Sequence, residues 1–246
     1  MLVATPAADP WDGPVIDLDE IDRLAELLTS RLDGLTDEQV RGPSRLPGWT
    51  RGHVLAHIAG VGNAVARQIE NATAGRETVD FYDGGQAGRD AAIEAAAGDP
   101  ASTHVAQVSA TLTRIRKAFA RLTPLVLDRP TGHRGRPVSA LVRTWWREVG
   151  IHLTDLDLGV DHSVWDAAFR AHLADHLAGR VPQGVQLHLA ATDTGERRTL
   201  GEGELVVASG SANDLVAWLA GREPIGTVTF ERADVVVPPP ELRPWP

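Results

Sequence analysis

Four long segments of the chain repeat apolar residues at intervals of three and four, and this pattern constrains the fold more than any other feature. The segments are residues 18–33, 51–74, 101–122 and 138–158. Such spacing places apolar side chains on one face of an α-helix, and that face must be buried against a neighbour. Four amphipathic helices in succession are typical of a helical bundle.

Capping residues predict where several helices begin and end. Asp17 or Asp19 is suited to cap the first helix, and Thr50 to cap the second, because their side-chain oxygens accept backbone N–H groups. Gly75 is expected to end the second helix in a left-handed conformation. Ser163 is predicted to cap a later helix.

The apolar spacing of the third helix predicts which of its residues face the core. His104 on this helix and His162 further along are interpreted as surface or loop residues. The residues expected to point inward are Val105, Val108, Leu112, Ile115, Phe119 and Leu122.

The pattern changes after Gly159, where short segments alternate in polarity as strands do. These segments are VQLHLAA, RRTL and ELVVAS, and a helix starting at Ser211 or Asn213 follows them. The predicted fold class is therefore mixed α and α/β. A four-helix bundle over residues 1–160 precedes a small α+β domain over residues 161–246.

Composition excludes several classes of function. Thirty-three acidic residues outnumber 24 basic ones, for a formal net charge of −9, which disfavours binding to nucleic acid. No run reaches the roughly 18 apolar residues that suggest a membrane span. The first residues lack the basic and apolar regions of a secretory signal, so we expect a cytoplasmic protein without membrane association.

The chain contains no cysteine. Disulfides, thiolate metal ligands and a cysteine nucleophile are therefore all excluded. Any thiol chemistry at this protein requires a thiol supplied as a separate molecule.

Two pairs of polar residues lie four apart on predicted helices. His53 and His57 form one pair, and Glu148 and His152 form the other. Residues four apart share a helix face, and two such pairs facing each other in a bundle would suit a zinc ion. The residues alone leave an alternative open, in which the histidines are ordinary hydrogen-bonded core residues and Glu148 contributes only to helix polarity.

Two longer motifs carry a resemblance to a known family. LPGWTRGHVLAHIAG and WWREVGIHLTDL closely resemble segments of the mycothiol-dependent maleylpyruvate isomerase family, whose N-terminal half is a DinB-like four-helix bundle. The stretch GELVVASGSANDLVAWLAGR is similar to the second domain of that family. The resemblance covers nearly the whole chain.

The resemblance implies that His57, Glu148 and His152 bind a divalent metal ion, zinc. His53 does not match a ligand of the family, although a fourth-ligand role stays open. Asp155 is placed either to accept the second N–H of a ligand histidine or to be an exposed acid at the helix end.

The resemblance also implies a reaction, in which mycothiol serves as a thiol cosubstrate and maleylpyruvate is converted from cis to trans, giving fumarylpyruvate. Arg222 matches an arginine implicated in activity, and its alternative is a cation that favours a helix C-terminus. The expected partners are a small thiol and a small anionic substrate. Two other functions remain open: a thiol S-transferase on the same scaffold, and a non-catalytic zinc-binding module.

Overall fold

The computed structural model describes residues 18–245, which divide into two compact units. The first unit ends at Asp161 and is built from α-helices. The second begins at His162 and contains a five-stranded sheet together with helices. This arrangement confirms the predicted fold class.

The four longest helices of the first unit, α1, α3, α5 and α7, form the bundle, in which α1 and α3 each contact both α5 and α7. Three shorter helices lie between them in the chain. The helices are α1 (Leu18–Leu32), α2 (Asp37–Arg41), α3 (Arg51–Ala74), α4 (Gly85–Ala96), α5 (Ala101–Phe119), α6 (Pro124–Leu127) and α7 (Val138–Asp155). Among the helices described, none combines the length and the apolarity that a bilayer span requires.

The ends of α3 agree with the capping prediction. The Thr50 hydroxyl accepts the backbone N–H of His53, and the His53 side chain interacts in return with the backbone N–H of Thr50. Gly75 ends the helix with a φ of 66°. At α1, Asp19 lies within the first turn of the helix and is therefore not its cap. Asp17, the other predicted cap, lies outside the described residues.

The buried face of α5 is rotated around the helix axis by about one residue position relative to the predicted face. A Cβ placed on Gly62 of α3 would lie 2.4 Å from Thr111 Cγ2, which shows how closely the two helices approach. Because small residues permit this approach, they occupy the contact, and larger apolar residues such as Leu112 and Phe119 are only half-buried. The buried residues of α5 are Ala101, His104, Val108, Thr111, Ile115 and Ala118.

The strands of the second unit form one sheet in the order β2-β1-β3-β4-β5, in which β1 and β3 are parallel and the other pairs antiparallel. Leu187 on β1 pairs with Leu200 and Val206 on its two neighbours, and all three side chains are buried. The elements are α8 (Ala167–Leu177), β1 (Gly184–Ala191), β2 (Arg197–Gly201), β3 (Gly203–Gly210), α9 (Ala212–Leu219), β4 (Thr229–Arg232) and β5 (Val235–Val236).

The start of α8 corrects the prediction for Ser163. This serine lies in a 3₁₀ turn, His162–Val164, and α8 begins at Ala167, three residues after the end of that turn. Asp166 is the cap, since its carboxylate accepts the backbone N–H of Phe169 at 2.7 Å. Serine and aspartate are both good caps, so the local pattern did not distinguish between them.

Two histidines predicted to lie at the surface are buried. His104 has no exposed surface, and His162 is 3% exposed. The Nε2 atom of His162 lies 2.8 Å from Asp214 Oδ1. Asp214 also accepts the Ser211 hydroxyl and the backbone N–H of Ile225, so this carboxylate ties the start of α9 to the segment that follows the helix.

Candidate metal centre

Helices α3 and α7 bring three side chains together in the first unit. The Oε2 atom of Glu148 lies 2.8 Å from His57 Nε2 and 3.2 Å from His152 Nε2. The two imidazole rings meet edge to face with 4.5 Å between their centres. Each residue offers one ligand atom within 4.8 Å of the others, and we call this group the His57–Glu148–His152 cluster.

Helix geometry explains why these residues meet. Glu148 and His152 are one turn apart on α7, so their side chains project from the same face. His57 lies on the buried face of α3, and α3 packs directly against α7. The two predicted pairs therefore lie on neighbouring helices.

His53 lies one turn before His57 but takes no part in the cluster. Its Nδ1 atom is 2.7 Å from the Thr50 hydroxyl in the capping arrangement, and its Nε2 atom is 3.5 Å from a carboxylate oxygen of Glu94. Both ring nitrogens thus have partners outside the cluster. That His53 is not a ligand stays a prediction.

Asp155 is fully buried, so the alternative of an exposed acid at the helix end is wrong. Its side chain accepts a hydrogen bond from His152 Nδ1 at 2.8 Å. With Nδ1 engaged in this way, Nε2 is the nitrogen that faces Glu148. The backbone carbonyl of Asp155 accepts the N–H of Arg45, which joins the end of α7 to the segment preceding α3.

The charges of the cluster are strongly interdependent. Burial alone would raise the pKa of Glu148, but hydrogen bonds and charge from the two histidines bring this pKa well below its usual range. Burial would lower the pKa of His152, yet Asp155 and Glu148 raise it to about 9. Burial and the nearby charge of His152 lower the pKa of His57. The carboxylate is therefore held ionised between the imidazoles.

This donor set fits a divalent ion such as zinc. Zinc accepts imidazole nitrogen and carboxylate oxygen at about 2.0–2.2 Å, so two ligands of a tetrahedral ion lie roughly 3.3 Å apart. The two nitrogen–oxygen distances in the cluster, 2.8 and 3.2 Å, are close to that separation. Three protein ligands would leave one position for a thiol or water.

Several residues around the cluster were not identified from the sequence. Arg89 donates to His57 Nδ1 at 3.0 Å, and Tyr82 lies near both Arg89 and Glu148. Burial raises the pKa of Tyr82 to about 12. The ring of Trp49 is centred 5.9 Å from that of His57.

The missed contact of Arg89 has a local cause. The alanine-rich pattern of residues 90–97 predicts a helix that starts just after Arg89, whereas α4 begins at Gly85. No side chain caps this helix, because its N-cap is Gly84, so the usual start signal was missing. A prediction with the correct helix start would have placed Arg89 on the helix, but it would not have revealed the contact of Arg89 with His57.

Arg222 lies in the second unit, directly after α9. Its backbone N–H donates to Ala217 O at 2.8 Å, and its guanidinium donates to Ala220 O at 2.9 Å. The guanidinium carbon lies 5.4 Å from the centre of the Trp245 ring. These contacts are those of a cation at a helix C-terminus, the alternative considered from the sequence, and the role of Arg222 in activity stays a prediction.

Fold and cluster together define a class of protein: a four-helix bundle with a His–Glu–His group suited to a metal ion, linked to a small α+β unit. A family model described as the mycothiol maleylpyruvate isomerase N-terminal domain matches residues 21–157. This match spans more than half of the chain, which therefore belongs to that family, as the motifs predicted. No curated protein matches the chain in a sequence comparison.

Two solved structures share the fold. One is the crystal structure of the mycothiol-dependent maleylpyruvate isomerase, and the other is that of a histidine-to-alanine mutant of that isomerase. Each is similar with a TM-score of 0.79 and 23% sequence identity, covering 91% of this chain and 94% of the other. The similarity thus includes both the bundle and the sheet.

Proposed function

We propose that this chain is a zinc- and thiol-dependent cis–trans isomerase that converts maleylpyruvate, or a related cis-enoyl diacid, to the trans isomer. The observation that carries the proposal is the convergence of His57, Glu148 and His152. Membership of the family and the descriptions of the solved proteins with this fold support the choice of reaction. Mycothiol is the proposed thiol.

In this proposal, Nε2 of His57, Nε2 of His152 and the Glu148 carboxylate would hold the ion. When bound there, zinc would lower the pKa of a coordinated thiol and so favour the thiolate near neutral pH. Asp155 keeps the proton of His152 on Nδ1 and thus leaves Nε2 free to act as a ligand. The ring of Trp49 flanks that of His57. Coordination through Nε2 puts the proton of His57 on Nδ1, so the Arg89 guanidinium, which donates to Nδ1 in the ion-free cluster, would have to move away from this nitrogen.

The proposed isomerisation needs a temporary loss of the double bond. The thiolate sulfur forms a bond to one alkene carbon, and the π electron pair moves to the conjugated carbonyl oxygen as an enolate. Rotation then takes place about the resulting single bond. The enolate re-forms the double bond in the trans arrangement and expels the thiolate, so the thiol is regenerated. Because the chain has no cysteine, a thiol nucleophile has to come from the cosubstrate.

The proposal is tested by measuring maleylpyruvate conversion with and without mycothiol, before and after metal removal and zinc return. We expect fumarylpyruvate to form only when thiol and metal are both present. A stable thioether product would instead identify a thiol S-transferase. Failure to react with any thiol, with zinc still bound, would contradict catalysis and favour a zinc-binding module.

Replacing Asp155 with asparagine should weaken zinc binding by about 10–100-fold, because outer hydrogen-bond partners orient metal-binding histidines. An amide cannot accept from His152 Nδ1 with the strength of a carboxylate. Competition with a chromophoric chelator measures the affinity. The matched control is Asp157→Asn, since Asp157 lies two residues further on and pairs only with Arg45 and Arg51 among the described residues. Equal affinities of the two variants would contradict the proposed role of Asp155.

A further inference from the structure

The segment after β5, residues 237–245, returns to the end of α9, and we call it the tail segment. The backbone N–H of Arg243 donates to Arg180 O at 2.8 Å, and Arg243 O accepts from Arg180 Nε at 2.7 Å. The indole N–H of Trp245 donates to Ala220 O at 3.2 Å. Ala220 directly follows α9, so the tail segment is fixed at the end of this helix.

Arg180 holds the tail segment in this place. Its side chain is buried, and its guanidinium also donates to the carbonyl of Leu219, the last residue of α9, at 2.6 Å. A buried guanidinium is costly unless its N–H groups are paired, so Arg180 needs these bonds to backbone carbonyls. Gly221 has a φ of 71°, and a Cβ there would lie 3.3 Å from Arg180 Nη1. Glycine therefore allows Arg180 to approach the helix end closely.

The ring of Trp245 lies against two guanidinium groups. Its centre is 5.4 Å from Arg222 Cζ and 5.7 Å from Arg180 Cζ. Burial and the nearby charge of Arg222 lower the pKa of Arg180. The negative face of an indole attracts a guanidinium, so the ring offsets part of the repulsion between the two arginines. Ala220 O accepts from both Trp245 and Arg222 Nη1, at 3.2 and 2.9 Å, which gives the indole and the guanidinium a shared partner.

The end of α9 does not itself require these side-chain contacts. The N–H of Gly221 donates to Trp218 O and that of Arg222 donates to Ala217 O, both at 2.8 Å. These backbone bonds complete the usual helix C-terminus with a left-handed glycine. The contact of the Trp245 ring therefore restrains the side chain of Arg222 rather than the course of its backbone.

We propose that Trp245 is a positioning residue that holds the Arg222 guanidinium in one orientation, with Arg180 fixing the tail segment that carries the ring. A guanidinium that contacts an aromatic face keeps its N–H donors in its own plane, where they can pair with a carboxylate. Charges stabilise a transition state best when they are oriented beforehand. The effect on turnover rests on the proposed function, in which Arg222 acts on a substrate carboxylate, but the restraint of Arg222 does not.

The test compares Trp245→Leu, which removes the ring, with Arg243→Ala. Arg243 is exposed and, among the described residues, bonds to Arg180 through its backbone alone, so its replacement removes a charge from the tail segment but leaves the anchor. We expect Trp245→Leu to lower kcat/KM for maleylpyruvate by about 10-fold, since a small misplacement of a group that contacts the substrate slows the reaction. Arg243→Ala should stay within about twofold of the unmodified protein. Trp245→Phe, which retains an aromatic face, should recover most of the activity.

Trp245→Leu is also combined with Arg222→Ala, and the melting temperature of every variant is measured. A positioning residue acts through Arg222, so Trp245→Leu should not reduce kcat/KM further once Arg222 is replaced. A ring that only stabilises the second unit would reduce activity by the same factor in either background, and that result would overturn the proposal. Unchanged kcat/KM in Trp245→Leu, in a protein whose activity depends on Arg222, would do the same.

An NMR signal separates the restraint from the proposed function. The Nε–H resonance of Arg222, identified by its loss in Arg222→Lys, should be shifted by the ring current of Trp245 in the unmodified protein. We expect this shift to vanish in Trp245→Leu and to persist in Arg243→Ala. If the shift behaves in this way but no variant converts maleylpyruvate, the restraint stands and the proposed function fails. If the resonance is the same with and without the ring, the positioning role is overturned even in an active isomerase.

Discussion

Glu148→Ala should lose its bound zinc and lower maleylpyruvate turnover by roughly a thousandfold, because a metal supplies several kcal/mol of transition-state stabilisation. Glu148 is the anionic member of the cluster, and a single oxygen of its carboxylate lies within 3.2 Å of both imidazoles. Without it, His57 and His152 offer only two neutral ligands to a cation. Metal content and turnover should therefore fall together.

Glu94→Ala is the matched control for this change. Glu94 is an exposed carboxylate of the same unit that lies beside a histidine, His53, outside the cluster. Its removal should leave both zinc stoichiometry and turnover within about twofold of the unmodified protein. The assignment of the ligands is wrong if Glu148→Ala retains a full equivalent of zinc and its activity, as measured by elemental analysis and a spectroscopic assay.

Arg222→Ala should lower kcat/KM by about 100-fold, the size of effect that follows loss of a preorganised electrostatic partner. The expected reason is that its guanidinium pairs with a substrate carboxylate and stabilises charge that develops on the enolate. Zinc content should not change. Arg222→Lys should recover only part of the activity, because an ammonium lacks the paired N–H donors.

The structural contacts of Arg222 provide the competing explanation. Its bond to Ala220 O and its position over Trp245 stabilise the end of α9, each by about 1 kcal/mol or less. Arg232→Ala removes an exposed arginine of the same unit that pairs with Glu204, and serves as control. If Arg222→Ala lowers the melting temperature but leaves kcat/KM unchanged, Arg222 is a helix-end cation and nothing more.

Structural features that depend on a single helical turn could be predicted from the sequence. Thr50 and Gly75 mark the ends of α3 because a cap needs only its own side chain and neighbouring backbone groups. The pairing of Glu148 with His152 on one face follows from helix periodicity alone. These local rules explain why the bundle was predicted correctly, whereas the choice of His57 over His53 as a ligand followed from the family resemblance and stays a prediction.

Structural features that depend on how two helices pack against each other could not be predicted from the sequence. His104 lies on the same buried face of α5 as Thr111, and a single amphipathic pattern does not reveal which face a neighbouring helix covers. His53 takes no part in the cluster because its two ring nitrogens contact Thr50 and Glu94 instead. The contact between Arg89 and His57 requires the placement of α4 on α3, and no periodicity encodes it.

His57 and Glu148 are 91 residues apart in the chain, yet they belong to one cluster. An ion held by both would act as a cross-link between α3 and α7, and it would form only once the intervening segment has folded. Loops of this length are entropically costly to close, and structural metal binding contributes directly to the free energy of folding. Zinc availability would then govern how much native protein a cell accumulates, in addition to how fast each molecule works.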